Sequence, residues 1–122
     1  MEFARERVGK ILIVTPPKLT SDGIFPFDGY GNELAGIVGA QDVEAVLMDL
    51  SNVDFAATPL LAALVRMHLQ AQRRRKAFAL CNLTVFVQEV LATVHLDKLF
   101  RIFPSRELAI ERMSAPDGLY DS

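Results

Sequence analysis

Two apolar runs of strand length, separated by one long segment of helical periodicity, constrain the fold of this chain most strongly. The runs are "EAVLMDL" at 44–50 and "KAFALCNL" at 76–83, and the segment between them is "TPLLAALVRMHLQAQRRR". In that segment Arg66, Gln70 and Arg73 fall on one side, and the opposite side is apolar. Its predicted inward positions are Leu60, Leu61, Leu64, Met67, His68 and Ala71. The pattern predicts strand, helix and strand in succession.

The rest of the chain continues this alternation. Further strands are predicted at 2–7, 11–16 and 99–103, and further helices at 32–38, 84–94 and 105–113. Thr84 and Ser105 are predicted N-caps, because each hydroxyl directly precedes an amphipathic run. In the helix at 84–94 the inward side chains are predicted to be Val87, Val90, Leu91 and Val94. The sequence therefore predicts an α/β fold, with about four helices packed on a mixed sheet.

The length and composition indicate one domain. The chain has 122 residues, of which 51% are apolar, and this is enough for a single hydrophobic core. Residues 114–122, "SAPDGLYDS", lack any hydrophobic period. We expect a single domain at 1–113 and a loose C-terminal tail at 114–122.

Charge and hydropathy argue against two classes of partner. The formal net charge is −2, so there is no basic excess for nucleic acid, and "RRRK" at 73–76 is explained as the basic end of a helix. No apolar stretch approaches the roughly 18 residues of a membrane span, and the N-terminal residues are no signal peptide. The sequence predicts a soluble, cytoplasmic protein.

Motifs for catalysis, metal binding and phosphate binding are missing from the sequence. It contains no HExxH, no GxxxxGK[ST] and no GxGxxG pattern, and no nucleophilic triad can be argued from residue spacing. The two histidines, His68 and His95, are predicted to be structural, and the single Cys81 to be a buried, inert thiol. We therefore predict no enzyme, no metal and no cofactor.

The segment 18–31 concentrates aromatic residues in a predicted loop. Phe25, Phe27 and Tyr30 stand there among three glycines and a proline. They either fold back over the core or project as a contact surface for a partner. Phe25 and Phe27 are therefore candidate partner-binding residues.

The order of elements and several motifs resemble the STAS family, the sulfate-transporter and anti-sigma-factor-antagonist domains. The resemblance is close over 46–110 and weaker from residue 2 onward. Against the family pattern D-L-S-x-V-x-F-x-D-S-S-G-L-x-x-L, the chain matches at Asp49, Leu50, Ser51, Val53, Phe55, Leu61 and Leu64. The resemblance implies a small α/β sandwich without catalytic activity that docks on an anti-sigma factor or a serine/threonine kinase-type partner.

The chain departs from the family at the family's phosphorylation site. The family's Asp-Ser-Ser-Gly aligns with Ala57, Thr58, Pro59 and Leu60, so that only Thr58 keeps a hydroxyl. By resemblance Thr58 is the candidate phosphorylation site, and residues 57–60 with Arg66 are the candidate partner surface. Thr58 also suits a helix N-cap, because Pro59 would then occupy the first helical position.

Three functions remain open from the sequence. The first is an anti-sigma factor antagonist switched by phosphorylation of Thr58. The second is an unswitched docking or scaffold subunit of a transporter or stress-signalling complex. The third is a small-ligand sensor, in which the 18–31 loop would close over an apolar pocket or a nucleotide.

Overall fold

A mixed sheet organises the computed structural model, which describes residues 4–16, 36, 39, 42–53 and 58–114. Within these residues the sheet has five strands in sequential order. The strands are β1 (Ala4–Val8), β2 (Ile11–Thr15), β3 (Ala45–Asp49), β4 (Ala77–Cys81) and β5 (Arg101–Phe103). β1 pairs antiparallel with β2, whereas every following pair is parallel. The predicted mixed sheet is confirmed.

The β1–β2 hairpin turns at a glycine. Val8 pairs with Ile11, and Gly9 between them has φ +58°, a backbone conformation that favours glycine. The guanidinium of Arg7 donates hydrogen bonds to the Gly9 carbonyl and to the Asp42 carboxylate. The turn is therefore fixed both by its backbone and by an ion pair across the surface.

Three helices lie in the described residues and join or follow the parallel strands. They are α1 (Thr58–Arg73), α2 (Val85–Thr93) and α3 (Arg106–Ser114). The predicted helix at 32–38 lies outside the described residues except at Gly36. The Thr84 hydroxyl accepts a hydrogen bond from the Val87 amide at 3.3 Å, and the Ser105 hydroxyl accepts one from Leu108 at 3.2 Å. Both predicted caps are confirmed.

The helices cover both faces of the sheet. On one face α1 and α2 pack through Ala63, Leu64, Met67, Ala71, Val87 and Leu91 onto Val14, Val46, Met48, Phe78 and Leu80. On the other face α3 packs through Ala109 and Met113 onto Ile11, Ile13, Ala45, Leu47, Ala79 and Cys81. β3 is fully buried, as its apolar run predicts. The predicted sandwich is confirmed.

The burial of individual helical residues differs in places from the predicted faces. Arg66 and Arg73 are exposed as predicted, but Gln70 is half-buried. Val94 was predicted to face inward and is instead 45% exposed. The reason is that α2 ends at Thr93, and the chain turns away at His95, where φ is +63°. Val94 follows the last residue of the helix, so the helical period of 3.6 residues does not apply to it.

Helices α1 and α2 end in the same way. At the end of α1, the Lys76 amide donates to the Ala71 carbonyl at 2.8 Å and the Arg75 amide to Gln72 at 3.2 Å. The end of α2 has the same two bonds. The Leu96 amide donates to the Leu91 carbonyl at 2.8 Å, and the His95 amide donates to the Ala92 carbonyl at 3.2 Å. This is the Schellman pattern, and its left-handed position is occupied by Arg75 and His95 in place of glycine. The second motif also fixes the position of Leu96.

Candidate functional site

The carboxyl edge of the parallel strands carries a cluster of polar side chains centred on Asp49. Asp49 ends β3 and is only 3% exposed. Its Oδ1 accepts a hydrogen bond from the Ser51 amide at 3.0 Å, and its Oδ2 accepts one from Asn82 at 3.2 Å. In α/β sheets this edge is where functional sites usually form, since the helices that follow the strands begin there.

Arg106, the first residue of α3, completes this cluster. Its Nε and Nη2 donate to Oδ2 of Asp49 at 3.1 and 2.9 Å. Nη1 pairs with the Glu6 carboxylate, and Nη2 also donates to the Thr15 hydroxyl at 3.1 Å. One guanidinium therefore joins α3 to β1, β2 and β3.

The hydrogen bonds decide the charge of Asp49. Burial alone would raise the pKa of Asp49, but the bonds from Ser51, Arg106 and Asn82 outweigh burial and lower it. For Arg106, burial would lower the pKa, while the hydrogen bond and charge of Asp49 raise it. Both groups are therefore ionised at neutral pH, and they form a partly buried ion pair.

Hydrogen bonds hold residues 50–53, the segment after Asp49, against the rest of the domain. The Leu50 amide donates to the Cys81 carbonyl, and the Val53 amide donates to Leu50, both at 3.0 Å. The Thr84 hydroxyl donates to the Val53 carbonyl at 3.1 Å, so the cap of α2 also holds this segment. The network thus anchors the chain up to Val53, five residues before α1 begins at Thr58.

The predicted site residues divide into those that the structure describes and those that it does not. Helix α1 begins at Thr58, which agrees with the predicted helix start. Ala57, Phe25 and Phe27 lie outside the described residues, as do the side-chain surroundings of residues 58–60. The capping role of Thr58 and the contact roles of residues 57–60, Phe25 and Phe27 stay predictions.

A shallow apolar groove of about 460 Å³ runs along α1. It is lined by Leu61, Ala62, Val65, Arg66, Leu69 and Leu96. Leu61, which the sequence predicts to face inward, packs partly buried against the core and also forms the end of the groove nearest Thr58. Leu61, Val65 and Leu69 recur every four residues, and that spacing was the signal in the sequence for a second apolar stripe. Arg66, predicted as a partner contact, lies at the rim of this groove.

The nucleophilic and titratable side chains near the core are structural. Cys81 is completely buried, and burial raises the pKa of its thiol to about 12. His68 packs edge-on against Phe100 with ring centroids 5.6 Å apart, and burial lowers the pKa of His68.

Among the described residues there is no group of three His, Cys, Asp or Glu side chains that could hold a metal ion. No helix in the described part of the chain has the length and apolar character to cross a bilayer.

Comparison with known proteins identifies the family. No curated protein sequence matches significantly. Similar solved structures include an anti-sigma-factor antagonist (STAS) domain protein from Planctomyces limnophilus, with TM-score 0.78 and 21% identity over 93% of this chain and 98% of that chain. An anti-sigma factor antagonist from Mycobacterium paratuberculosis has TM-score 0.73 and 16% identity over 90% and 91% of the two chains.

A third similar structure is the Bacillus cell fate determinant SpoIIAA in its phosphorylated form, with TM-score 0.67 and 11% identity over 92% of this chain and 99% of that one. At these identities the likeness concerns the fold. The sequence itself matches the STAS domain family over residues 5–109. The chain therefore belongs to the STAS domain family.

Proposed function

We propose that this protein is an anti-sigma factor antagonist-like docking module that binds an anti-sigma factor or a serine/threonine kinase-type protein. The observation that carries this proposal is the apolar groove on α1, which begins one helical turn after Thr58. Solved structures named as anti-sigma factor antagonists share the fold. The proposal assigns the chain no catalytic activity of its own and includes a cytoplasmic location.

Exposed apolar side chains support a protein partner. Leu69 in the groove is 48% exposed, and Val85 and Phe86 at the start of α2 are 71% and 48% exposed. Helix α2 begins at the carboxyl edge of the sheet, so Val85 and Phe86 add apolar surface there, whereas Leu69 lies in the second half of α1. Apolar surface of this kind on a small domain is typical of protein interfaces.

The proposed function has two versions, which differ at Thr58. In the switched version a kinase phosphorylates Thr58, and the free amides and the dipole at the start of α1 tolerate the phosphate. About −1.5 to −2 charges would then stand beside the apolar groove and repel an apolar partner. In the unswitched version Thr58 only caps α1, and binding is constitutive. The phosphorylated form of SpoIIAA shows that a protein with this fold can carry such a modification.

The experiment combines partner binding with intact-mass measurement. The protein is incubated with a candidate kinase-type partner and ATP, and binding of that partner is measured for wild type, Thr58→Ala and Thr58→Glu. The switched version predicts a mass increase that Thr58→Ala abolishes, and loss of binding by Thr58→Glu. No mass increase, together with normal binding by Thr58→Glu, establishes the unswitched version.

A second variant tests whether added negative charge at any position would explain the Thr58→Glu result. Ser114→Glu adds the same charge at the end of α3, on the opposite face of the sheet, and should bind as wild type does. If no anti-sigma or kinase-type partner binds the wild-type protein, the proposed function is wrong.

A further inference from the structure

Positive charge is concentrated on the helix that forms the groove. Residues 58–76 contain Arg66, Arg73, Arg74, Arg75 and Lys76 but no Asp or Glu. Because the whole chain has a formal net charge of −2 and this segment has +5, the other residues together carry −7. Helix α1, together with the three residues that follow it, is therefore a cationic segment in an acidic protein.

The groove combines this charge with an apolar floor whose shape is already formed. Leu61, Val65 and Leu69 follow one line along α1, and Leu96 forms the opposite side. The backbone amide of Leu96 donates a hydrogen bond to the Leu91 carbonyl at 2.8 Å, and this holds Leu96 in place. Arg66 is exposed at the rim, and no ion pair of Arg66 occurs among the described residues. Within the described part of the chain, neither the floor nor its cationic rim is covered by another element.

We propose that the groove binds an amphipathic helix of the partner protein, with apolar residues at three- and four-residue spacing and Asp or Glu beside them. This inference rests on the proposed function, because it names the partner's chemistry at the same surface. From Leu61 to Leu69 the groove spans about 12 Å of helix, enough for roughly two turns of a partner helix. The acidic residues of the partner helix face Arg66 and the basic end of α1.

The same charge argues against a second copy of this chain as the occupant. Two copies packed groove to groove about a twofold axis would bring the Arg66 side chains, near the centre of each groove, close together. Like charges placed opposite each other at an interface disfavour association. The groove is therefore expected to stay open in the isolated protein.

The test uses two synthetic helical peptides that share the same leucine positions, one flanked by Glu and one by Lys. Binding to the full chain is measured by fluorescence anisotropy, and the contact site by amide and methyl chemical shifts. We expect the Glu peptide to bind and to shift the signals of Leu61, Val65, Leu69 and Leu96. The Lys peptide should bind about tenfold more weakly at low salt, and the difference should shrink at high salt.

Three variants locate the interaction. Leu69→Asp should abolish binding of the Glu peptide without unfolding the protein, since Leu69 is 48% exposed. Arg66→Glu should reverse the preference and make the Lys peptide the tighter ligand. Leu99→Asp is the matched control, because it also replaces an exposed leucine, 40% exposed, by an acid but lies outside the groove lining. It should leave peptide binding unchanged.

Several results would overturn the inference. Equal or tighter binding of the Lys peptide to wild type, or Glu-peptide binding that survives Leu69→Asp, excludes an acidic helix in the groove. Self-association that Leu69→Asp abolishes would show a second copy as the occupant. A kinase-type partner that binds wild type and Leu69→Asp equally well also removes the inference, but leaves the proposed function intact. Binding of the Glu peptide without any kinase-type or anti-sigma partner removes only the proposed function.

Discussion

Arg106 donates two hydrogen bonds to one oxygen of Asp49, from Nε at 3.1 Å and from Nη2 at 2.9 Å. Arg106 is the first residue of α3, where the helix dipole disfavours a positive charge. The ion pair with Asp49 offsets that cost and fixes α3 against the middle strand of the sheet. The side chain of Asp49 is 4% exposed and that of Arg106 is 30% exposed, so the pair is only partly screened by water.

Replacing Arg106 by Met should destabilise the protein by about 2 to 3 kcal/mol, because Asp49 would keep a buried charge without its cationic partner. Urea denaturation measures the change in the free energy of unfolding. Arg112→Met, an exposed change in the last turn of α3, is the control and should cost about 0.5 kcal/mol or less. Combining Arg106→Met with Asp49→Asn should cost less than the sum of the two single changes. An additive result would show that the pair is not coupled.

Acid should weaken the fold through Asp49. The pKa of Asp49 is lowered in the folded protein, so its stabilising contribution is complete above its unfolded value of 3.8 and is lost as the pH falls below it. The free energy of unfolding, measured over a pH series in this range, should fall more steeply for wild type than for Asp49→Asn. Parallel curves for the two proteins would contradict this assignment.

Cys81 should be unreactive in the folded protein. It is fully buried, and burial raises the pKa of its thiol to about 12, so little thiolate is present at pH 8. A thiol reagent should react with the native protein only as fast as the sheet opens, and with urea-unfolded protein at once. Rapid reaction of one equivalent with the native protein would show that the face covered by α3 opens readily.

His95→Gly should stabilise the protein by about 0.5 to 1 kcal/mol, because glycine occupies the left-handed position of a Schellman motif without strain. Arg75→Gly, at the equivalent position after α1, should act in the same direction. The matched control is Asn82→Gly. Asn82 has φ +56° as well, but its side-chain Nδ2 donates a hydrogen bond to Asp49, so its replacement by glycine should not stabilise the protein. Thermal unfolding measures all three, and a gain at Asn82 would show that backbone strain outweighs the hydrogen bond there.

The sequence predicts those features that depend on neighbouring residues. The caps at Thr84 and Ser105 follow from a hydroxyl directly before an apolar period, and the strands follow from short apolar runs. The groove on α1 was missed because Leu61 lies at the edge of a broad apolar face. Helical periodicity cannot tell whether such an edge position touches the sheet or a groove. That depends on Leu96, which the α2 end brings to α1.

The charged cluster could not be predicted from the sequence for a different reason. Asp49 matches a family motif, but Arg106 is separated from it by 57 positions in the sequence. Pairing across that distance depends on strand order, which local patterns do not encode. The candidate contacts at Phe25, Phe27 and Ala57 lie outside the described residues, and their roles depend on the partner.

The bond between Asp49 and Arg106 also has a consequence for synthesis of the protein. Arg106 follows all five strands in the chain, so a product that stops before Arg106 has the strands but lacks the cation that pairs with Asp49. An unpaired carboxylate favours hydration, and hydration keeps that edge of the nascent sheet from closing. Helix α3 therefore supplies the cation that allows water to be excluded from around Asp49. A translation product that stops before α3 would expose this open edge to chaperones and proteases.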